Sequence, residues 1–151
     1  MKPLEFRTAT KADAVVLSRL IKRTIRTSNA KDYDQRSIDL LCALFEPEQV
    51  AQRIREELIF LCFLGADLVA TVGLKGDYLR SLFVDPTHQE QGYGKVLVDK
   101  MEELARKNAL PEIMLHSSVT AQHFYAALGY ESLEFQMHDE GPFILMRKSL
   151  G

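Results

Sequence analysis

Apolar and polar residues alternate over Leu4–Thr8, which predicts a short strand. Over residues 11–27 the period lengthens. Leu17, Leu20, Ile21 and Ile25 fall on one side of a helix, and Arg19, Lys22, Arg23 and Arg26 on the other. Thr10 is placed to cap this helix, with Asp13 three residues on to complete a capping box. The basic stripe reads as a solvated helix face. Residues 28–34 read as a polar linker. Asp34 then starts a second helix, with Ile38, Leu41, Cys42 and Phe45 at i, i+3, i+4 and i+7. Glu46-Pro47 restarts the chain as a third helical segment, because proline suits a helix's first turn. Val50, Ile54 and Leu58 carry that segment into a strand.

Leu58–Leu64 is an unbroken apolar run, the pattern of a central strand buried on both faces. Gly65-Ala66-Asp67 turns it into a strand over 68–74, and Lys75-Gly76-Asp77 turns that into Tyr78–Val84. The strand ends on Leu82, Phe83 and Val84, closed by Asp85-Pro86. A helix follows, with Leu97, Met101, Leu104 and Ala105 on one face, ending near Asn108 before Pro111. Residues 113–116 form a strand, Ser118 stands at the start of the next helix, and Gly129 closes it in the left-handed conformation. Strands over 130–135 and 143–148 flank a polar loop, 137–142. Strands in succession, then strand-helix-strand-helix-strand, predict an α/β fold: a mixed sheet with helices on both faces.

Composition narrows the classes. A chain of 151 residues is sized for one domain spanning 1–151, and 46% hydrophobic with 26% charged residues is ordinary for a soluble protein. A net charge of −2 speaks against a nucleic-acid partner, which calls for a basic excess. No run reaches the about 18 apolar residues of a membrane span. Residues 1–7 lack the apolar core of a secretion signal. The two cysteines, Cys42 and Cys62, sit among apolar neighbours and read as buried thiols in a reducing compartment, with the cytoplasm as the expected location. His88, His123 and His138 show no metal-ligand spacing, so no metal is expected.

The chemistry concentrates between strand and helix, in Gln89-Glu90-Gln91-Gly92-Tyr93-Gly94. Two glycines at the mouth of a helix free the backbone and clear side chains from it. The first amides of a helix have no internal partner and sit at its positive end, so such a loop is a seat for phosphate. The nucleotide-triphosphate loop does not fit. Val96 stands where its hydroxyl should be, and Gln89 where its first glycine should be. The dinucleotide fingerprint fails at Leu97.

The pattern Q-x-x-G-x-G after a strand ending V-D-P resembles the coenzyme A pyrophosphate loop of the GNAT acyltransferases. A second stretch, Ser118-Val119-Thr120-Ala121-Gln122-His123-Phe124-Tyr125 through Gly129-Tyr130, resembles that family's other signature, N-x-x-A-x-x-F-Y-x-x-x-G-[FY]. Ser118 replaces its usual Asn, as in a subset reading S-x-T-A-x-x-F-Y whose specificity is mostly uncharacterised. The resemblance covers residues 79–130 closely and the flanks more loosely.

The resemblance implies a GNAT fold, a central mixed twisted sheet of six to seven strands, and acetyl-CoA as the acyl donor. Gln89, Glu90, Gln91, Gly92, Tyr93, Gly94 and Lys95 would hold the diphosphate, with Lys95 helping and Glu90 pointing into water. Leu82, Phe83 and Val84 would lie along the pantetheine arm. Tyr125 matches the tyrosine set beside the sulfur, both a coenzyme contact and the acid for the leaving thiolate. Ser118 either bonds the pantetheine or caps its own helix. Many family members carry a glutamate or histidine on the strand before the loop, where this chain has Arg80 and Ser81. His116 is then the candidate base, with solvent as the alternative. Tyr33, Tyr78 and the helix over 34–45 are candidates for the acceptor side.

The expected activity is direct acetyl transfer to a primary amine of a small-molecule or peptide acceptor, without a covalent enzyme intermediate, since neither cysteine lies in a signature. A homodimer is compatible with this reading. A coenzyme A-binding sensor without turnover is the alternative, supported by the missing carboxylate at Arg80-Ser81. A plain interaction domain would show no affinity for the coenzyme.

Overall fold

Apolar runs separated by tight turns fold back on one another and build most of the sheet. In the computed structural model, which describes residues 3–151, β1 (Leu4–Thr8) pairs antiparallel with β2 (Leu58–Leu64). β2 pairs with β3 (Asp67–Lys75), and β3 with β4 (Tyr78–Val84), again antiparallel. Met1 and Lys2, part of the N-terminal stretch read for a secretion signal, lie outside the described residues. β5 (Glu112–Ser118) pairs antiparallel with β7 (Gly141–Ser149), and β7 with β6 (Glu131–His138). The result is a seven-stranded mixed sheet in the order β1-β2-β3-β4-β5-β7-β6. The expected polar loop over 137–142 is mostly strand. The hairpin continues to His138 and resumes at Gly141, leaving Asp139 and Glu140 as its turn.

The join between β4 and β5 is different in kind. It is parallel, with one register pair, Tyr78 opposite Met114, and the Met114 amide donates to the Asp77 carbonyl at 2.9 Å. Among the described residues, the strands pair no further toward Val84 and Ser118. The cause lies in β4. Gly73 faces Arg80 but Thr71 faces Phe83, so β4 carries one extra residue, and Ser81 there has φ of 56°. A bulge bends a strand and raises its local twist, and a non-glycine residue at positive φ costs roughly 1–2 kcal/mol. β4 therefore leans away from β5, and the sheet splays open at its centre.

Helices cover both faces, and each has its own core. On one side α4 (Tyr93–Lys107) buries Leu97, Val98, Met101 and Ala105 against Val72, Leu79, Ile113 and Leu115. Each such side chain contributes roughly 1.5–3 kcal/mol on burial. The buried Glu102 accepts from the Tyr130 hydroxyl at 3.0 Å and from Lys148 Nζ at 2.9 Å, which ties α4 to β7. On the other side α1 (Ala14–Thr24), α2 (Gln35–Ala43) and α3 (Pro47–Glu56) enclose Leu17, Leu20, Ile21, Ile38 and Leu61. Asp34 caps α2 by accepting from the Ser37 amide at 2.8 Å. A short α5 (Gln122–Ala127) follows β5. Cys42 and Cys62 are free and buried, in different cores.

Two further expectations are corrected. The linker expected over 28–34 begins two residues later: α1 continues through a π-helical turn, Ile25–Asn29, because no helix breaker interrupts it and its polar side faces open space, and residues 30–34 form the connecting turn. The basic stripe is only partly a solvated face. Lys22 pairs with Glu46 at 3.0 Å, and Arg23 pairs with the buried Asp85 at the end of β4, while Arg19 and Arg26 are exposed.

Candidate functional site

The splay between β4 and β5 opens into a cleft of about 1230 Å³. It passes through the sheet, since its lining comes from both cores: Leu82, Val84, Phe124 and Tyr125 from the α4 side, Ile25, Phe45, Phe83 and Phe143 from the other.

At the α4 side the lining includes His88, Gln89, Glu90, Gly92, Tyr93, Gly94 and Lys95. Gly92 caps α4 with φ of 85°, a conformation that favours glycine. The first amide of α4 to find a partner is that of Val96, which donates to the Gly92 carbonyl at 3.2 Å. Among the described residues, the amides of Gln89 through Lys95 meet no acceptor in the protein. A Cβ on Gly94 would stand 3.0 Å from the Phe124 ring, so a side chain there would crowd the cleft wall. The Gln89 side chain is spent on the fold: it donates to Ser28 Oγ at 2.8 Å and to the Val84 carbonyl at 3.0 Å. Asp85 steadies the same turn by accepting from the Thr87 amide and hydroxyl. Burial pushes its carboxyl up, but those bonds and Arg23 outweigh it and hold it below its ordinary value. Gln91 is exposed and outside the lining, and Lys95 pairs with Asp99 at 3.0 Å, one turn along α4.

Tyr125 is 6% exposed and lines the cleft, and its hydroxyl has no hydrogen-bond partner among the described residues. Burial raises its phenol above the ordinary value, so it keeps its proton at neutral pH. Ser118 lines the cleft too, and its Oγ accepts from the Ala121 amide at 3.1 Å. It thus closes the turn that feeds α5 rather than capping the helix itself, whose N-cap is Ala121.

On the other side the rings of Tyr78 and His116 stack, 5.6 Å apart and 13° from parallel. His138 meets His116 edge-on at 5.7 Å, and Phe143 meets His138 at 5.4 Å. His116 is lowered from its ordinary 6.5, first by desolvation, then by repulsion from His138 and Arg80, although its outer edge reaches solvent. Arg80 and Arg53 line the same region, each 3.6 Å from Oε2 of the buried Glu57. Arg53 and Glu57 escaped the sequence reading. Their only signal is a charged pair at i, i+4 just before an unbroken apolar strand.

Tyr33 does not reach the cleft. It is buried, its hydroxyl donates to the Pro142 carbonyl at 2.6 Å and accepts from the Val119 amide at 2.9 Å, so it ties the turn just after β5 to β7. Among the described residues no three His, Cys, Asp or Glu side chains converge as a metal site would require, and no helix is long and apolar enough to cross a membrane.

A family model for the acetyltransferase (GNAT) domain matches residues 29–150. A crystal structure of a GCN5-related N-acetyltransferase from Rhodopseudomonas palustris superposes with a TM-score of 0.91 at 24% identity, over 99% of this chain and 97% of that one. The PaiA N-acetyltransferase of Thermoplasma acidophilum, solved with coenzyme A, gives 0.81 at 19% identity, over 97% and 99%. The Bacillus subtilis protein YyaT, uncharacterised, is 37% identical over 65 residues, 42% of this chain and 43% of its own length. The chain spans about half the length of the curated relatives it matches, 43% and 58% of the two.

Proposed function

Because this chain belongs to the GNAT acetyltransferase family, we propose that it transfers an acetyl group from acetyl-CoA directly to a primary amine, as a single catalytic domain over residues 1–151. The observation that carries this is the run of unpartnered amides from Gln89 to Lys95 at the mouth of α4. A diphosphate fits there by chemistry and by space. Hydrogen bonds to a charged acceptor contribute roughly 1.5–3 kcal/mol each, and the helix end adds about 0.3–1 kcal/mol. Acetyl-CoA supplies the activated acyl group as a thioester.

The residues of this chain then divide the work. The amides of Gly92, Tyr93, Gly94 and Lys95 bind the diphosphate, and Glu90, exposed at the rim of the cleft, is free to turn to water. The edge of β4 at Leu82, Phe83 and Val84, left unpaired by the splay, offers backbone groups to the pantetheine amides. Tyr125 holds its proton and donates it from the phenol toward the sulfur as the thiolate leaves. His116, kept neutral by its surroundings, takes a proton from the acceptor amine, and Tyr78 keeps the imidazole plane fixed by stacking on it. Neither cysteine lines the cleft, and burial pushes the Cys62 thiol up to about 11, which supports transfer without a covalent enzyme intermediate.

The pH dependence follows from sign. His116 acts when unprotonated, and its pKa lies below 6.5, so kcat/KM should climb through the acidic range and lose its dependence on this group above about pH 7. His116→Gln should remove that acid limb. A profile with the same limb in the variant assigns the base elsewhere.

The test of the whole reading is thiol release from acetyl-CoA in the presence of an amine panel, together with thermal shift by coenzyme A. A ligand at 100 times its Kd stabilises by about 2.7 kcal/mol. Binding with no release from any acceptor would favour a coenzyme A sensor, and no binding would remove the acyltransferase assignment.

A further inference from the structure

The cleft's far side holds an uneven charge balance. Arg53 of α3 and Arg80 of β4 both line it, and the nearest carboxylate to each is the same one, Glu57, whose side chain is 1% exposed. Both contacts are 3.6 Å, too long for hydrogen bonds. Among the described residues neither guanidinium donates a side-chain hydrogen bond at all. The one carboxylate within 4 Å of either among the described residues is thus shared and does not itself line the cleft. Glu56 lies farther off, and Glu140 is the carboxylate lining the cleft away from the mouth of α4, set against Arg53, Arg80, Lys31 and Lys75. The arginine side chains are 18% and 34% exposed and keep donors free toward the cleft, while Oε1 of the buried Glu57 finds no hydrogen-bond partner among the described residues. Guanidinium donors that no protein acceptor engages are free to meet an anionic oxygen. The Phe45 ring lies 4.5 Å from the Arg53 guanidinium carbon and fixes that group in place. The stacked rings of Tyr78 and His116, with His138 edge-on to His116, offer an aromatic surface lining the same cleft.

On the reading of this cleft as an acyltransferase site, we propose that the acceptor is a small amine that also carries an anionic oxygen group, a carboxylate or a phosphate, received by Arg80 and Arg53. A planar guanidinium matches such a group with two parallel N–H donors. The same positive field disfavours a second ammonium, so polyamines are poor acceptors. It also favours the neutral form of the amine that attacks, which is the form that reacts.

The experiment uses the full chain, acetyl-CoA and a matched panel read by thiol release: α-amino acids, the corresponding aminophosphonates, the decarboxylated amines, and polyamines. Acid-bearing acceptors are expected to exceed their decarboxylated partners in kcat/KM by roughly tenfold or more. Whether carboxylates or phosphonates lead identifies which anion the arginines receive. Arg80→Gln should raise the acceptor KM and flatten the preference while the KM for acetyl-CoA stays put. Arg80→Lys, which keeps the charge without the fork, should recover part of it. The wild-type panel stands even if a variant fails to fold. Decarboxylated amines or polyamines turned over as well as the acids overturn the proposal and leave the acyltransferase reading intact. Coenzyme binding with no thiol release from any panel member overturns the proposal. Absence of any acetyl-CoA-induced thermal shift overturns both readings.

Discussion

Gly94→Asp is expected to lower coenzyme A affinity by about 100-fold or more while leaving the fold standing. Its backbone is not in the left-handed region, unlike that of Gly92, so the substitution adds no conformational strain of that kind. Its Cβ would meet the Phe124 ring edge at 3.0 Å, and a side chain's far end can shift. The carboxylate would stand in the cleft beside the free amides. It would accept from them itself and repel a diphosphate. Losing two charge-assisted hydrogen bonds at roughly 1.5–3 kcal/mol each already exceeds a factor of about 100. Calorimetric titration with coenzyme A measures it, and circular dichroism controls for folding. Affinity like that of the parent would place the coenzyme somewhere other than the mouth of α4.

Tyr125→Phe should reduce kcat by about 100-fold or more with little change in the KM for acetyl-CoA, the range expected for loss of a general acid. The ring contributes packing against Phe124 and Tyr130, and phenylalanine keeps it. The hydroxyl bonds nothing among the described residues, so its removal leaves no orphaned partner there. Stability should therefore stay near that of the parent, and the loss should fall on chemistry. Single-turnover thiol release separates chemistry from product release. An unchanged single-turnover rate would take the acid role from Tyr125.

The loop and its helix were legible in sequence because the physics there is local. A turn pair, two glycines and a helical period of apolar residues suffice to leave amides unpaired. The strands were legible for the same reason, with turn residues between apolar runs. What stayed hidden depends on register and depth. A tyrosine whose hydroxyl is used twice in the interior, as at Tyr33, looks in sequence like one that lines a cleft, as at Tyr78. The polar stretch after α1 resembled a linker because polarity alone does not distinguish solvent from a cleft. Arg23 looked solvated because its partner Asp85 lies 62 residues on, at the end of another element. Arg53, Glu57 and Arg80 come together only once β2, β3 and β4 have paired and the bulge at Ser81 has set which side Arg80 faces. No spacing rule in the sequence encodes that meeting.

The single register pair joining β4 to β5 has a consequence for cooperativity. A sheet normally transmits order from strand to strand through its ladder of backbone bonds. Here that ladder is nearly cut at the centre, so β1–β4 and β5–β7 are two pieces held in line chiefly by α4 and the side chains beneath it. The exposed backbone edge of β4 beyond the bulge is a gap that protein alone does not fill. Whatever lies there with amides of its own acts as a keystone, making one continuous unit of two halves.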